Sequence, residues 1–194
     1  KGISGPDLMD LHQKQAERFG TEVKQDHVSE VDFSSRPFHI SCANGYETEC
    51  SSVIIATGAS ARYLGLDSEE KLKGKGVSAC ATCDGAFFKD KKVVIVGGGD
   101  SAMEDALFMT RYTSDITVIH RRDELRASKI MQKKALDNDK INFLWNTEAT
   151  EVLGVDQDRV TGVRLKNNKT SEESEMDCEG FFVAIGHTPN TDIF

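Results

Sequence analysis

Apolar and polar positions alternate along this chain in two rhythms. Leu8, Leu11, Gln15 and Phe19 recur at helical spacing, so an amphipathic helix is expected after a short N-terminal loop. Strand-sized runs follow: TEVKQ, HVSEVDF, RPFHISC, and GYETEC after the Asn44-Gly45 turn. SSVIIATGAS reads as a buried strand entering a glycine turn, and 60–76 as a charged, loop-like crossover with three glycines. KKVVIVGGGDSAMEDALFMTR then predicts a strand, a glycine turn and a helix. SDITVIHRRDELRASKIMQKKAL predicts another strand and helix, and INFLW a third strand. Short strands resume from Thr147 to Asn168, followed by a polar acidic loop, NNKTSEESE, and then CEGFFVAIGHTPN.

One pattern occurs twice. CSSVIIATG from Cys50 and CEGFFVAIG from Cys178 share C-x-x, three apolar residues, Ala-x-Gly, and each follows short strands entered through Glu-Val. A duplicated unit is the simplest source. The second copy has a glycine-rich βαβ unit upstream, whereas the equivalent count back from Cys50 leaves the chain. With no initiator Met either, the expectation is a piece of a longer, two-domain protein.

Composition narrows the class. The 194 residues carry a net charge of -8, which disfavours a nucleic-acid surface. Apolar runs are too short for a membrane span, and the N-terminus lacks a signal-type apolar core. Five cysteines, an odd and sparse set, do not form a secreted disulfide scaffold, so a cytoplasmic protein is expected.

Two motifs carry chemistry. Gly97, Gly98 and Gly99, with Asp100, Ser101 and Ala102, sit between a strand and a helix. Glycine makes the tight turn and lets backbone approach a pyrophosphate, and a small residue at 102 lets helix pack on strand. The helix start offers free N–H groups to phosphate, with Asp100 and Ser101 as capping types. At the end of the second strand an NAD site places an acid. Here stand His120, Arg121 and Arg122, with Arg126 a turn further, which suits the 2′-phosphate of NADPH. The alternative is a solvated basic patch paired with Asp123 and Glu124.

In SACATCDGAFF, Cys80 and Cys83 lie two residues apart, followed by Asp84. A zinc site needs four ligands, and Cys42, Cys50 and Cys178 are isolated. Inert core cysteines fit poorly with polar flanks. A redox pair at a helix start remains, with Asp84 either an acid or only a cap. A hydride donor and a disulfide are usually bridged by a flavin.

SACATCDG, GGGDSAMEDAL, HRRDELRAS, ATGASARYLGL and AIGHTPNTDIF together resemble the low-molecular-weight thioredoxin reductases, over essentially the whole chain. The resemblance implies an α/β fold of the pyridine nucleotide-disulfide oxidoreductase type. A Rossmann-like three-layer NADPH-binding domain (63–184) would be inserted in a truncated FAD-binding domain (1–60 and 185–194). It implies NADPH at 97–102, with the 2′-phosphate among His120, Arg121, Arg122 and Arg126, and Ile185, Gly186 and His187 closing the other side. FAD would lie near Thr57, Gly58 and Ala59, and Glu104 near the nicotinamide. Cys83 would face the flavin, Cys80 would attack thioredoxin, and Asp84 would donate a proton. Hinges near 59–63 and 184–188 would let the inserted domain rotate. The family is usually homodimeric. The rival readings are a flavoprotein reducing a peroxiredoxin-type partner, a redox-responsive interaction protein, and an NADPH-binding module that catalyses nothing.

Overall fold

The computed structural model describes residues 2–194. The described residues form two compact units, 2–58 with 190–194, and 59–189.

In the first unit α1 (Gly5–Arg18) begins where Ser4 accepts the Asp7 N–H at 3.3 Å, with Pro6 in the first turn. Its amphipathic pattern is as expected, yet no residue of the helix is buried. β1 (Val28–Asp32), β2 (Phe38–Cys42) and β3 (Glu47–Cys50) form an antiparallel meander. TEVKQ forms no strand, because among the described residues no strand pairs with it. Phe33 packs edge-on against Phe38 and stacks on Phe194, with centroids 5.2 and 5.9 Å apart.

SSVIIATGAS departs from expectation. Residues 52–58 are not a strand, and Ile54 is 93% exposed. A strand apolar on both faces is buried only between neighbours. Among the described residues no strand pairs with 52–58, so the pattern is present without the sheet it suits.

The second unit opens with β4 (Ala59–Ala61), α2 (Asp67–Lys71) and β5 (Val77–Ser78). The expected loop at 60–76 is therefore partly regular. Its organiser is Glu69, 1% exposed, whose carboxylate accepts the Leu64 and Gly65 N–H groups at 3.0 and 2.9 Å. Next come α3 (Ala81–Asp84) and a 3-10 turn over Gly85–Phe88. Then follow β6 (Val93–Val96), α4 (Asp100–Met109), β7 (Ile116–His120), α5 (Lys129–Leu136) and β8 (Ile141–Trp145). β9 (Thr147–Leu153), β10 (Gly162–Asn167) and β11 (Glu173–Asp177) form an antiparallel meander, and β12 (Gly180–Val183) and β13 (His187–Pro189) complete the unit. The expected acidic loop is half strand, because Glu173–Asp177 pairs in register with β10 and Arg164 Nη2 bonds Glu175 at 2.8 Å.

The centre is a five-stranded parallel sheet in the order β5-β12-β6-β7-β8. Every residue of β6, β7 and β12 is buried, as expected of parallel strands covered on both faces. Val93, Ile95, Ile116, Val118 and Phe182 pack on one side with Ala102, Met103, Ala106 and Met109 of α4. Val94, Val96, Ile119, Phe181 and Val183 pack on the other with Val152, Val163 and Leu165 of the meander. The layers are helices, parallel sheet and antiparallel sheet. Phe181 and Phe182 are fully buried, each worth roughly 1.5–3 kcal/mol. The chain leaves β6 for β7 on one side, and β12 returns to its other side. Such a reversal of strand order is where α/β sheets bind ligands, at the carboxyl ends of the strands.

Candidate functional site

A cleft of about 770 Å³ lies at that switch point. Val96, Gly97, Gly98 and Gly99 form its floor, Ile119 to Arg122 one wall, and Ala184 to Gly186 the other. Gly97 and Gly98 are required by contact. A Cβ on Gly97 would lie 2.4 Å from Ala184 O and 2.7 Å from Ala102 Cβ. A Cβ on Gly98 would lie 2.2 Å from the His120 ring. Ala102 is thus the small residue that admits the first glycine.

The turn and the arginine loop are joined. Gly98 O accepts the N–H groups of Arg126 and Ala127 at 2.7 and 3.0 Å. His120 is 6% exposed, its Nε2 lies 3.0 Å from Glu124 O, and its ring meets Trp145 edge-on. Burial depresses its pKa, so its ring serves as a neutral support beneath the turn. Asp100 and Ser101 are not caps: Gly99 holds that position, and Asp100 Oδ1 accepts the N–H and Oγ–H of Ser128, each at 2.8 Å. Ser101 is exposed and lines the cleft.

The solvated-patch alternative required Asp123 and Glu124 to neutralise the arginines. Asp123 instead pairs with Lys169 at 2.6 Å, which holds its carboxyl below the usual range. Among the described residues Arg121, Arg122 and Arg126 form no ion pair. All three are exposed and line the cleft. Three free guanidinium groups beside a glycine turn fit a dinucleotide bearing an extra phosphate. Arg62, Leu64, Leu66 and Thr147–Ala149 also line the cleft. Sequence reading missed them, although the rule that ligands gather beyond strand ends would have pointed to the loop after β8.

Cys80 and Cys83 are joined as a disulfide, with Cα atoms 5.3 Å apart. Cys80 is the N-cap of α3, and its Sγ accepts the Cys83 N–H at 3.2 Å. Ser78 Oγ accepts the Cys80 N–H at 3.1 Å, fixing the approach. Cys83 is exposed and Cys80 half-buried, so the inert-core reading is not what the fold shows. Ala81 is buried against α4. Asp84 closes α3 and is not its cap. It lines a second cavity, about 590 Å³, with Ser78, Phe87, Phe88 and Lys91. Among the described residues no group of His, Cys, Asp or Glu is placed to hold a metal ion, and no helix is long and apolar enough to cross a membrane.

Other expected site residues lie apart from the cleft. His187 is exposed on β13, where it pairs with Ala61. Glu104 is exposed on α4. In the first unit Thr57 O and Gly58 O accept from Asn190 Nδ2 and N, both at 3.0 Å. Ala59 starts β4. The two crossovers are hydrogen-bonded to each other through β4 and β13, reinforced by Arg62 N–H to Gly186 O at 3.0 Å.

The parallel sheet, the glycine-turn cleft and the Cys80–Cys83 disulfide all lie in the 59–189 unit. Residues 4–194 match the family described as pyridine nucleotide-disulphide oxidoreductase, and the chain belongs to it. The similar proteins narrow this further. The thioredoxin reductase of Rickettsia conorii is 47% identical over 193 residues, 99% of this chain and 62% of that protein. That of Coxiella burnetii is 50% identical over 196 residues, 100% and 61% respectively. Among solved structures, the thioredoxin reductases of Lactococcus lactis and Giardia duodenalis superpose with TM-scores of 0.81, at 38% and 40% identity. Each match covers 98% of this chain and 62% of the other. The chain thus spans about 62% of the length of these relatives.

Proposed function

We propose that the chain is the NADPH-binding and dithiol-bearing part of a thioredoxin reductase. The observation that carries this is a Cys80–Cys83 disulfide in the same α/β unit as a glycine-turn cleft with three unpaired arginines. NADPH would be held by the backbone of Gly97–Ser101 at its pyrophosphate and by the side chains of Arg121, Arg122 and Arg126 at its 2′-phosphate. Ile185 and Gly186 form the facing wall, and His187 and Glu104 are assigned to the nicotinamide end. FAD, assigned to Thr57–Ala59 on family resemblance, supplies the two-electron bridge between a hydride and a disulfide when bound.

The residues then divide the work. Cys83 is the partner of the flavin, and Cys80 the nucleophile towards thioredoxin. The Cys80 thiolate attacks the thioredoxin disulfide to form a mixed disulfide. Cys83 then gives its proton to Asp84 and attacks Cys80, restoring the internal disulfide, and the thioredoxin thiolate this releases takes that proton from Asp84. Two electrons leave the dithiol and two enter thioredoxin. The same reading makes the enzyme a cytoplasmic homodimer, a compartment in which such a disulfide is catalytic.

The test is NADPH-dependent appearance of thioredoxin thiols with the flavin-loaded enzyme. The reading expects thioredoxin to be reduced, and Cys80→Ser to abolish it. Reduction of a peroxiredoxin-type dithiol protein but not of thioredoxin would overturn the partner, and NADPH binding without any dithiol reduction would overturn the reaction.

A further inference from the structure

Asp100 poses an electrostatic puzzle. It occupies the first helical position of α4, beside the turn where the pyrophosphate would sit. A carboxylate there suits the helix dipole but repels an incoming phosphate. Yet the Ser128 N–H and then its Oγ–H hold this carboxyl below the usual range, so the charge persists.

The contacts of Asp100 account for its presence. Its Oδ1 accepts both Ser128 bonds at 2.8 Å, reaching from the start of α4 to the start of α5. Ser128 is the N-cap of α5, but its hydroxyl does not cap that helix and instead goes to Asp100. Two residues before Ser128 stands Arg126, whose N–H is bound to Gly98 O at 2.7 Å. The segment from Arg126 to Ser128 is therefore fastened to the glycine turn at one end and to the start of α4 at the other. Gln132 steadies it from α5, its Nε2 donating to Ala127 O at 2.7 Å.

We propose that Asp100 and Ser128 form a latch that sets cofactor selectivity by holding Arg126 at the cleft. Asp100 is a positioning residue that acts through Arg126. The inference rests on the 2′-phosphate reading of the cleft. It makes two opposed demands on one carboxylate, and the demands can be separated. Removing the side chain frees the Ser128 end and leaves the arginine loop held only through Gly98 and Gln132, a loosening that matters only to a ligand with a 2′-phosphate. It also removes a negative charge, which favours any phosphate ligand.

The probes are adenosine 2′,5′-bisphosphate and adenosine 5′-monophosphate, titrated calorimetrically into this chain at one fixed ionic strength. The wild type is expected to prefer the bisphosphate. Asp100→Ala should lower that preference by about tenfold, the worth of one charge-assisted contact, while the monophosphate binds as well or better. Asp100→Asn keeps the acceptor and loses the charge. It should hold the preference within about twofold while binding both ligands more tightly. Ser128→Ala should lower the preference by about threefold, since one of two bonds remains. An Asp100→Ala preference within twofold of wild type overturns the latch. If that variant does not fold, an unchanged preference in Ser128→Ala overturns it. Equal losses for both ligands overturn it too, because they mean general damage. A wild-type chain with no preference at all overturns the 2′-phosphate reading beneath it.

Discussion

Gly97→Ala tests how tightly the cleft floor is built. The added methyl would lie 2.4 Å from Ala184 O, 3.1 Å from Ala184 C and 2.7 Å from Ala102 Cβ. None of these can yield as the end of a flexible side chain would. Ala184 donates its N–H to Val96 O at 2.8 Å, so shifting its carbonyl disturbs the β6–β12 ladder. Ala102 is fully buried on α4, so shifting it moves a helix off the sheet. Overpacking of this kind costs typically 1–3 kcal/mol, and two backbone-anchored neighbours place this case near about 3 kcal/mol. At about 2–4 °C per kcal/mol for a chain of this size, melting should fall by roughly 6–12 °C. Gly99→Ala is the control, since its Cβ would meet nothing within 4 Å. It should melt within about 2 °C of wild type. Thermal unfolding followed by circular dichroism, with calorimetric NADPH titration of the folded variants, decides the matter. A Gly97→Ala protein that melted and bound cofactor like Gly99→Ala would refute the contact reasoning.

Replacing Arg121 and Arg122 together by alanine should weaken NADPH far more than NADH, each phosphate contact being worth about 1.5–3 kcal/mol; equal losses at fixed salt would count against the cleft assignment. Asp105 is half-buried, and burial pushes its carboxyl up to about 6. Its stabilising share is present below the unfolded carboxylate pKa and lost as pH rises through about 6. Discounted for solvent screening, that share is about 1–2 kcal/mol. Melting of wild type relative to Asp105→Asn should therefore decline between pH 4 and 7, and a constant difference would exclude the effect. Burial pushes the Cys178 thiol up to about 12, so the native protein should resist alkylation there while half-buried Cys42 and Cys50 react faster. Peptide mapping that found Cys178 labelled first would contradict this.

The twin segments show what a pattern can and cannot tell. The FFV of FFVAIG lies in β12 and is buried because β5 and β6 flank it. VIIATG has the same pattern and, among the described residues, no flanking strand, and Ile54 stands at 93% exposure. Apolar alternation records fitness for burial, whereas the neighbours that realise it are non-local. The same holds for TEVKQ, strand-like but without a partner strand among the described residues, and for the end of NNKTSEESE, expected as loop but registered against β10 from Glu173. The glycine turn, the arginines and the cysteine pair were legible because their chemistry depends on local spacing. The partners that set their roles were not. Lys169 removes Asp123 from the arginines across 46 residues, and Ser128 takes up Asp100 across 28. His120, expected at the phosphate, lines the cleft from a buried position, and a Cβ on Gly98 would meet its ring at 2.2 Å.

The most direct test of the central claim is rapid anaerobic mixing of NADPH with the flavin-loaded enzyme carrying Cys80→Ser or Cys83→Ser, followed by thiol counting on thioredoxin. The account predicts that flavin absorbance still bleaches in both variants while no thioredoxin thiols appear. Loss of bleaching in either variant, or thioredoxin reduced without the pair, would contradict it.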